Sequence, residues 1–290
     1  MTPARTFGAQ SMVGPLRRVL VKRPGLAFGR AFADPALGFL HPVDLPRARS
    51  EHDALVALLR QLGVQVELLE AESGSADDIY TFDPLLVTDR GSIALRSGRP
   101  SRRREAPLLA AWMTGHGIPA VGAIEAPGTV DGGDTFWLRP DLLCIGRGFR
   151  TNDAGARQLA ALATAAGGEA RIFDLPYWRG PGELLHLLSV ISPVADDLAV
   201  VHEPLLPVGL WELLRDLGIR TIAVPEAEFA TLGCNVLAVR PGVVMVADGN
   251  PLTRRALEAA GCEVHAFAAM EIGLNGGGGP TCLTRPILRA

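Results

Sequence analysis

The 290-residue chain is 48% hydrophobic and only 20% charged, which provides ample material for a core and excludes a disordered chain. Its 28 basic and 31 acidic residues leave a formal charge of −3, so no overall field favours nucleic acid. No apolar run approaches the roughly 18 residues needed to span a bilayer. The N-terminal stretch MTPARTFGAQSMVGPLRR has no apolar h-region, so secretion is not expected either.

In chain order, five stretches follow one plan: apolar strand, polar turn, amphipathic helix, short strand. The first runs from LRRVLVKRP through EHDALVALLRQLG to VQVELLE. Leu55, Leu58 and Leu59 fall at helical spacing there, and Gly63 sits where the helix would stop. The second joins PLLVTD and SIALR to the helix REAPLLAAWMTGHG and the strand IPAVGA. The third reads TFWLRP and LLCIGRG, then NDAGARQLAALATAAGG and EARIFDL. The fourth reads LLSVISPV and LAVVHEP, then LPVGLWELLRDLG and IRTIAVP. The last reads NVLAVRP and VVMVADG, then NPLTRRALEAAG and CEVHAFA.

Within most units, two strands flank a tight turn such as Asp89-Arg90-Gly91 or Arg240-Pro241-Gly242, the signature of a hairpin. Each unit is therefore ββαβ, and five of them can close about an axis into a single α/β domain spanning residues 1–290. Such a ring brings loops from distant parts of the chain to one mouth. The segment GLAFGRAFADPALGFLHPVD near that mouth suits a lid, and equally a packed surface excursion.

The four cysteines, Cys144, Cys234, Cys262 and Cys282, are too few and too scattered for a disulfide framework, so a reducing cytoplasm is expected. Cys282 follows Gly276 to Gly279, Pro280 and Thr281, a backbone unfit for regular helix or strand. A phosphate loop needs a helix next, and Pro286 stands in its way. The glycines instead let the chain pass close to a ligand while presenting one thiol, although on composition alone a glycine-rich tail with an incidental cysteine fits as well.

A thiol nucleophile needs a base, and His186 lies where a loop enters an apolar strand. A lone histidine there is more often a structural hydrogen-bonding residue. Asp83 and Asp89 bracket the strand of FDPLLVTD six residues apart, so period-2 geometry directs both to one face. Asp131 and Asp134 bracket two glycines in TVDGGDTFW, an arrangement that also suits an Asx-turn. No HxH, HExxH or CxxC spacing accompanies these carboxylates, so neither a metal nor another cofactor is expected. Carboxylates around a thiol suit a flat cation, a guanidinium above all. The run RSGRPSRRRE lacks interleaved aromatics and suits a solvated turn, or one arginine reaching a substrate carboxylate, better than a nucleic-acid patch.

Taken together, TVDGGDTFW, IGRGFRTN, HLLS and GGGGPTCLT resemble the guanidino-group modifying enzymes: dimethylarginine dimethylaminohydrolase, arginine deiminase and glycine amidinotransferase. The resemblance implies a five-bladed α/β propeller, with Cys282 as nucleophile, His186 as general acid and base, and Asp131 as the acidic residue opening the GGD motif. It implies that Asp89 and Asp83 bind the guanidinium, and that Arg150, assisted by Arg103 or Arg104, holds the substrate carboxylate. Its implied partner is a small guanidino or ureido molecule, with no nucleic acid or membrane; a homodimer is compatible with it. Leu188 stands where deiminases and amidinotransferases carry Asp, which favours the dimethylargininase-like branch. Against this, Asp131 opens the motif as in amidinotransferases, where dimethylargininases and deiminases carry Glu, which leaves the exact branch open.

Overall fold

The computed structural model describes residues 5–183 and 185–290. Its strands form five three-stranded sheets. In the first unit, β1 (Leu16–Val21) leads into helix α1 (Leu45–Gln61) and returns as β2 (Gln65–Leu68), parallel to β1. The second contains the antiparallel pair β3 (Leu85–Thr88) and β4 (Gly91–Ala94), helix α2 (Glu105–Gly115) and β5 (Ala120–Ala123) parallel to β4. The third repeats this with β6 (Thr135–Arg139), β7 (Leu142–Arg147), α3 (Asp153–Ala165) and β8 (Glu169–Asp174). The fourth does so with β9 (Ile191–Ala195), β10 (Leu198–Val201), α4 (Val208–Asp216) and β11 (Arg220–Ala223). The fifth comprises β12 (Leu237–Arg240), β13 (Val243–Ala247), α5 (Pro251–Ala259) and β14 (Glu263–Phe267).

The last strand, β15 (Arg285–Arg289), pairs antiparallel with β1, so the chain's end supplies the strand that the first unit lacks. That closure joins residues about 270 positions apart and turns five units into a ring. Contacts between sheets run through the leading strands, β15 with β3 and β9 with β12, and β12 also meets β1. β10 and β13 are buried throughout, whereas the outer strands β2, β5 and β11 are half-exposed.

One local device recurs in every unit. Each crossover helix is followed by a glycine at positive φ: Gly63, Gly117, Gly167, Gly218 and Gly261. A left-handed residue ends the helix and turns the chain back toward its sheet, and only glycine adopts it without steric cost. At the front of the helices, Asp44 caps α1 by accepting from Arg47 N at 3.0 Å, and Asn152 caps α3 by accepting from Gly155 N at 2.8 Å. Leu55 and Leu59 of α1 are buried, as the spacing predicts, and Leu58 packs half-buried against the same core.

Residues 25–44 are a folded excursion. Phe28 and Phe39 meet edge-on at 5.3 Å between ring centroids, and the amides of Leu40 and His41 donate to Asn275 Oδ1 at 2.9 and 3.1 Å.

Candidate active site

The chain enters each leading strand through a loop, and each of the five loops carries a polar residue. Asp83 precedes β3, the segment from Asp131 to Asp134 precedes β6, His186 precedes β9, Asn235 precedes β12 and Cys282 precedes β15. Because the units are equivalent, these loops open on the same end of the ring. Fivefold repetition thus gathers side chains from residues 83 to 282 at one place.

His186 ends its loop at a single helical turn, Leu187–Val190, where its amide donates to Ser189 Oγ at 3.0 Å. Its Nδ1 lies 3.1 Å from Asp134 Oδ1, and Nε2 lies 3.9 Å from Asp131 Oδ2. Both aspartates are fully buried. Asp134 Oδ2 accepts from Thr151 Oγ1 at 2.7 Å; Asp131 Oδ1 accepts from the Gly98 amide at 2.9 Å, and Arg150 Nη1 reaches Asp131 Oδ2 at 3.4 Å. Burial works against charging the imidazole, but Asp134, with Asp83 and Asp131 beyond it, outweighs that cost and raises its pKa.

Asp83 faces the same space from the neighbouring loop. Its Oδ1 accepts from the Gly133 amide at 2.8 Å, and its Oδ2 accepts from Arg102 Nη1 at 2.6 Å. A Cβ on Gly133 would stand 2.9 Å from the His186 ring and 3.2 Å from Asp83 Oδ1, so the glycine lets the imidazole and the carboxylate close on one turn. Arg102 is buried and also donates through Nε and Nη2 to Glu105, at 3.0 and 2.8 Å. Burial opposes ionisation of Asp83, but Arg102 and His186 prevail and hold it below the ordinary carboxylate range.

Cys282 is half-buried, whereas Cys144, Cys234 and Cys262 are buried. Its carbonyl accepts from the Phe82 amide at 3.2 Å, which docks the thiol loop against the chain neighbour of Asp83. Asn235 Nδ2 donates to Sγ at 3.2 Å. Loss of solvent, then the charge of Asp83, push the thiol up to about 12. The preceding glycines have a packing reason. A Cβ at Gly278 would come within 2.4 Å of the Tyr80 ring, and one at Gly279 within 2.5 Å of Asn235 Cγ. Among the described residues, no group of three His, Cys, Asp or Glu side chains could hold a metal ion.

The model of the arginine deiminase family covers residues 75–215 and 210–289. The chain belongs to the arginine deiminase family. Within it, the dimethylarginine dimethylaminohydrolase of Pseudomonas aeruginosa is 30% identical over 224 residues, covering 76% of this chain and 81% of the relative. The enzyme of the same name from Streptomyces coelicolor is 28% identical over 249 residues, covering 86% and 89%. The solved structure of the Pseudomonas aeruginosa enzyme with citrulline superposes with a TM-score of 0.79 at 24% identity, covering 95% of this chain and 100% of that one. The N-terminal domain of ArgZ, a cyanobacterial arginine dihydrolase, gives 0.81 at 20% identity, covering 94% and 98%. The chain falls in the dimethylargininase-like branch of the family, and its ring is the family's five-bladed α/β propeller.

Five of the residues that the motifs single out, Cys282, His186, Asp131, Asp83 and Arg150, meet in this site. Two do not. Asp89 is exposed in the hairpin turn between β3 and β4, where it pairs with Arg5 and its amide donates to Gln10 Oε1 at 2.8 Å. Side-chain parity along the strand holds only across it; six residues at about 3.3 Å each carry Asp89 some 20 Å from the loop that holds Asp83. Arg104 is exposed at the start of α2, and Arg103 Nε donates to the Ser97 carbonyl at 3.1 Å. The arginine that turns inward is Arg102, because the helical turn Pro100–Arg102 and the first residue of α2 set it against Glu105.

Three further residues join the site: Arg102, Asn235 and Asp134. Asp134 carries a sequence signal, the GGD turn, but the motif does not say which of its two aspartates grips the imidazole. Asn235 carries none beyond its place two residues before a leading strand.

Proposed function

We propose that this chain is a cysteine-dependent hydrolase that cleaves a C–N bond at the guanidino carbon of arginine or an Nω-substituted arginine, with Cys282 as nucleophile and His186 as general acid and base. What supports it is the meeting of the one cysteine that is not fully buried, one imidazole held by a carboxylate, and two further carboxylates in a single site, in a chain whose relatives are named for that chemistry. The substrate is a small cation, and four unpaired cysteines fit a reducing cytoplasm.

In the free site burial and Asp83 favour the neutral thiol, while Asp134 raises the affinity of the imidazole for a proton. A bound guanidinium beside Asp83 and Asp131 offsets the carboxylate charge that opposes thiolate formation, so the substrate itself promotes loss of the thiol proton to solvent. The 3.4 Å contact of Arg150 with Asp131 is the one a substrate guanidinium replaces, freeing Arg150 for the substrate carboxylate. Sγ then bonds to the guanidino carbon. His186 gives its proton to the departing nitrogen as the C–N bond breaks, leaving a thiouronium on Cys282. Neutral His186 next takes a proton from water; the resulting hydroxide adds to the same carbon, the C–S bond breaks to release thiolate, and the hydroxyl proton passes to solvent to leave a neutral ureido product.

The test is a mass-spectrometric product screen over arginine, methylated arginines and citrulline, with Cys282→Ser as control. The expected result is a ureido product with release of ammonia or a methylated amine, and a thiouronium adduct on the peptide containing Cys282 after acid quench. Full turnover by Cys282→Ser overturns the assignment. Transfer of the amidino group to an added amine, with ornithine released, identifies an amidinotransferase instead.

A further inference from the structure

Asn235 stands in the fifth loop of the ring, which the mechanism above leaves without a task. Its side chain is buried and held at both ends: Oδ1 accepts from the Thr281 amide at 3.1 Å, and Nδ2 donates to Cys282 Sγ at 3.2 Å. The first bond fixes the second. A backbone N–H only donates, so the amide oxygen must face Thr281 and the NH2 group must face sulfur. Gly279 completes the seat, because any Cβ there would strike Asn235 Cγ, Oδ1 and Cβ at 2.5 to 2.7 Å. A thiol loop shaped around an amide that points at the thiol is more than a packing solution.

We propose that Asn235 is the hydrogen-bond donor that sets the reactivity of Cys282, favouring the thiolate before attack and its expulsion when the thiouronium is hydrolysed. The inference rests on Cys282 being the nucleophile. A neutral donor at sulfur stabilises negative charge more than it stabilises either the thiol or the thioether-like sulfur of the adduct. It therefore acts at both ends of the cycle, where sulfur is anionic. The charged and titratable groups around Sγ are Asp83, which opposes the thiolate, Arg102, which favours it, and Tyr80, which is buried beside it; His186 lies across Asp83. Asn235 and the Gly279 amide are the uncharged donors that counter the burial of sulfur.

The size of the effect follows from thiol chemistry. Where the thiol is mostly protonated, each unit of pKa rise costs tenfold in thiolate but returns about threefold in nucleophilicity, a net loss of about threefold per unit.

Asn235→Asp is the informative variant. It keeps an oxygen for the Thr281 amide and preserves the shape but replaces the donor to sulfur with a carboxylate, so it is read beside Asn235→Ala, and the loss must appear in both. The measurement is the rate of alkylation of Cys282 by iodoacetamide between pH 7 and 10, located by peptide mass, beside kcat and kcat/KM over the same range. The expected result is alkylation at least about threefold slower at pH 9, with kcat reduced alongside it. Equal alkylation rates and equal kcat in a folded variant overturn the proposal. Should Asn235→Asp fail to fold, Asn235→Ala, which removes the donor without adding charge, is judged by the same rates. The two readings separate cleanly: if alkylated Cys282 still turns over substrate, the nucleophile assignment falls, whereas if alkylation abolishes turnover but ignores Asn235, only the role of the amide falls.

Discussion

Asp134 holds His186 through a single oxygen used twice: Oδ1 lies 3.1 Å from the imidazole Nδ1 and accepts the Leu187 amide, also at 3.1 Å. Its other oxygen is fixed by Thr151, so the ring is oriented with Nε2 toward Asp131. Asp134→Asn removes charge while keeping shape. It is expected to lower kcat by up to about 10⁴, the loss found where an aspartate orients a catalytic imidazole. Because Asp134 raises the imidazole pKa, the variant loses the protonated acid at lower pH, and the alkaline limb of the kcat/KM profile moves downward. An unmoved limb with full activity removes Asp134 from the mechanism.

Asp83 and Asp89 carry opposite expectations although six residues and one strand separate them. Asp83→Asn alters a buried carboxylate that accepts from Arg102 and the Gly133 amide and faces the bound guanidinium, so kcat/KM should fall by at least about tenfold. Asp89→Asn breaks an exposed pair with Arg5, worth about 0–1 kcal/mol, and kcat/KM should stay within about twofold. Steady-state kinetics on the two variants decide the point. A large loss in Asp89→Asn would return that residue to the substrate.

That contrast shows what a sequence can carry. The five-unit order is legible because it is written locally, in apolar runs, turn residues and helix-ending glycines. The loops bearing Cys282, His186 and Asp131 are legible only as a motif set in order, TVDGGDTFW, HLLS and GGGGPTCLT, because each residue alone fits a structural role as well. β15 is not, since its partner β1 lies at the far end of the chain and no local pattern names it. Asp89 misleads because strand parity reports a face and not a height along the axis. The choice among Arg102, Arg103 and Arg104 depends on the phase of one short turn, which three adjacent arginines cannot reveal. Asn235 is an ordinary amide until a sulfur is found 3.2 Å away.

Arg102 is the charge on which the acidic side of the site depends. It donates to Asp83 and Glu105, and its Nε lies 3.8 Å from Asp77 Oδ2, all in buried surroundings. Arg102→Met keeps much of the volume but strands these carboxylates without a counter-charge, a change that costs about 3–5 kcal/mol. Thermal and urea unfolding should register the loss, together with a drop in activity as Asp83 takes up a proton. A variant as stable as the parent would mean that Arg99, 2.8 Å from Asp77, can compensate.

Acid sensitivity should come in part from a histidine outside the site. His52 on α1 is 1% exposed, and neither ring nitrogen has a hydrogen-bond partner among the described residues. Burial lowers its pKa to about 4, against the attraction of Asp53. Between about 6.5 and 4 the unfolded chain binds a proton at this position and the native ring does not, so stability rises with pH across that window and falls as the solution is acidified. The full difference approaches about 3 kcal/mol by pH 4. His186 acts in the opposite sense: its raised pKa contributes stability below about 6.5 that is lost as pH climbs through the native value. Urea midpoints at pH 7, 6, 5 and 4 for the parent and His52→Leu separate the two. The parent should weaken more steeply toward pH 4 than the variant, and parallel curves would show that His52 does not govern the acid limb.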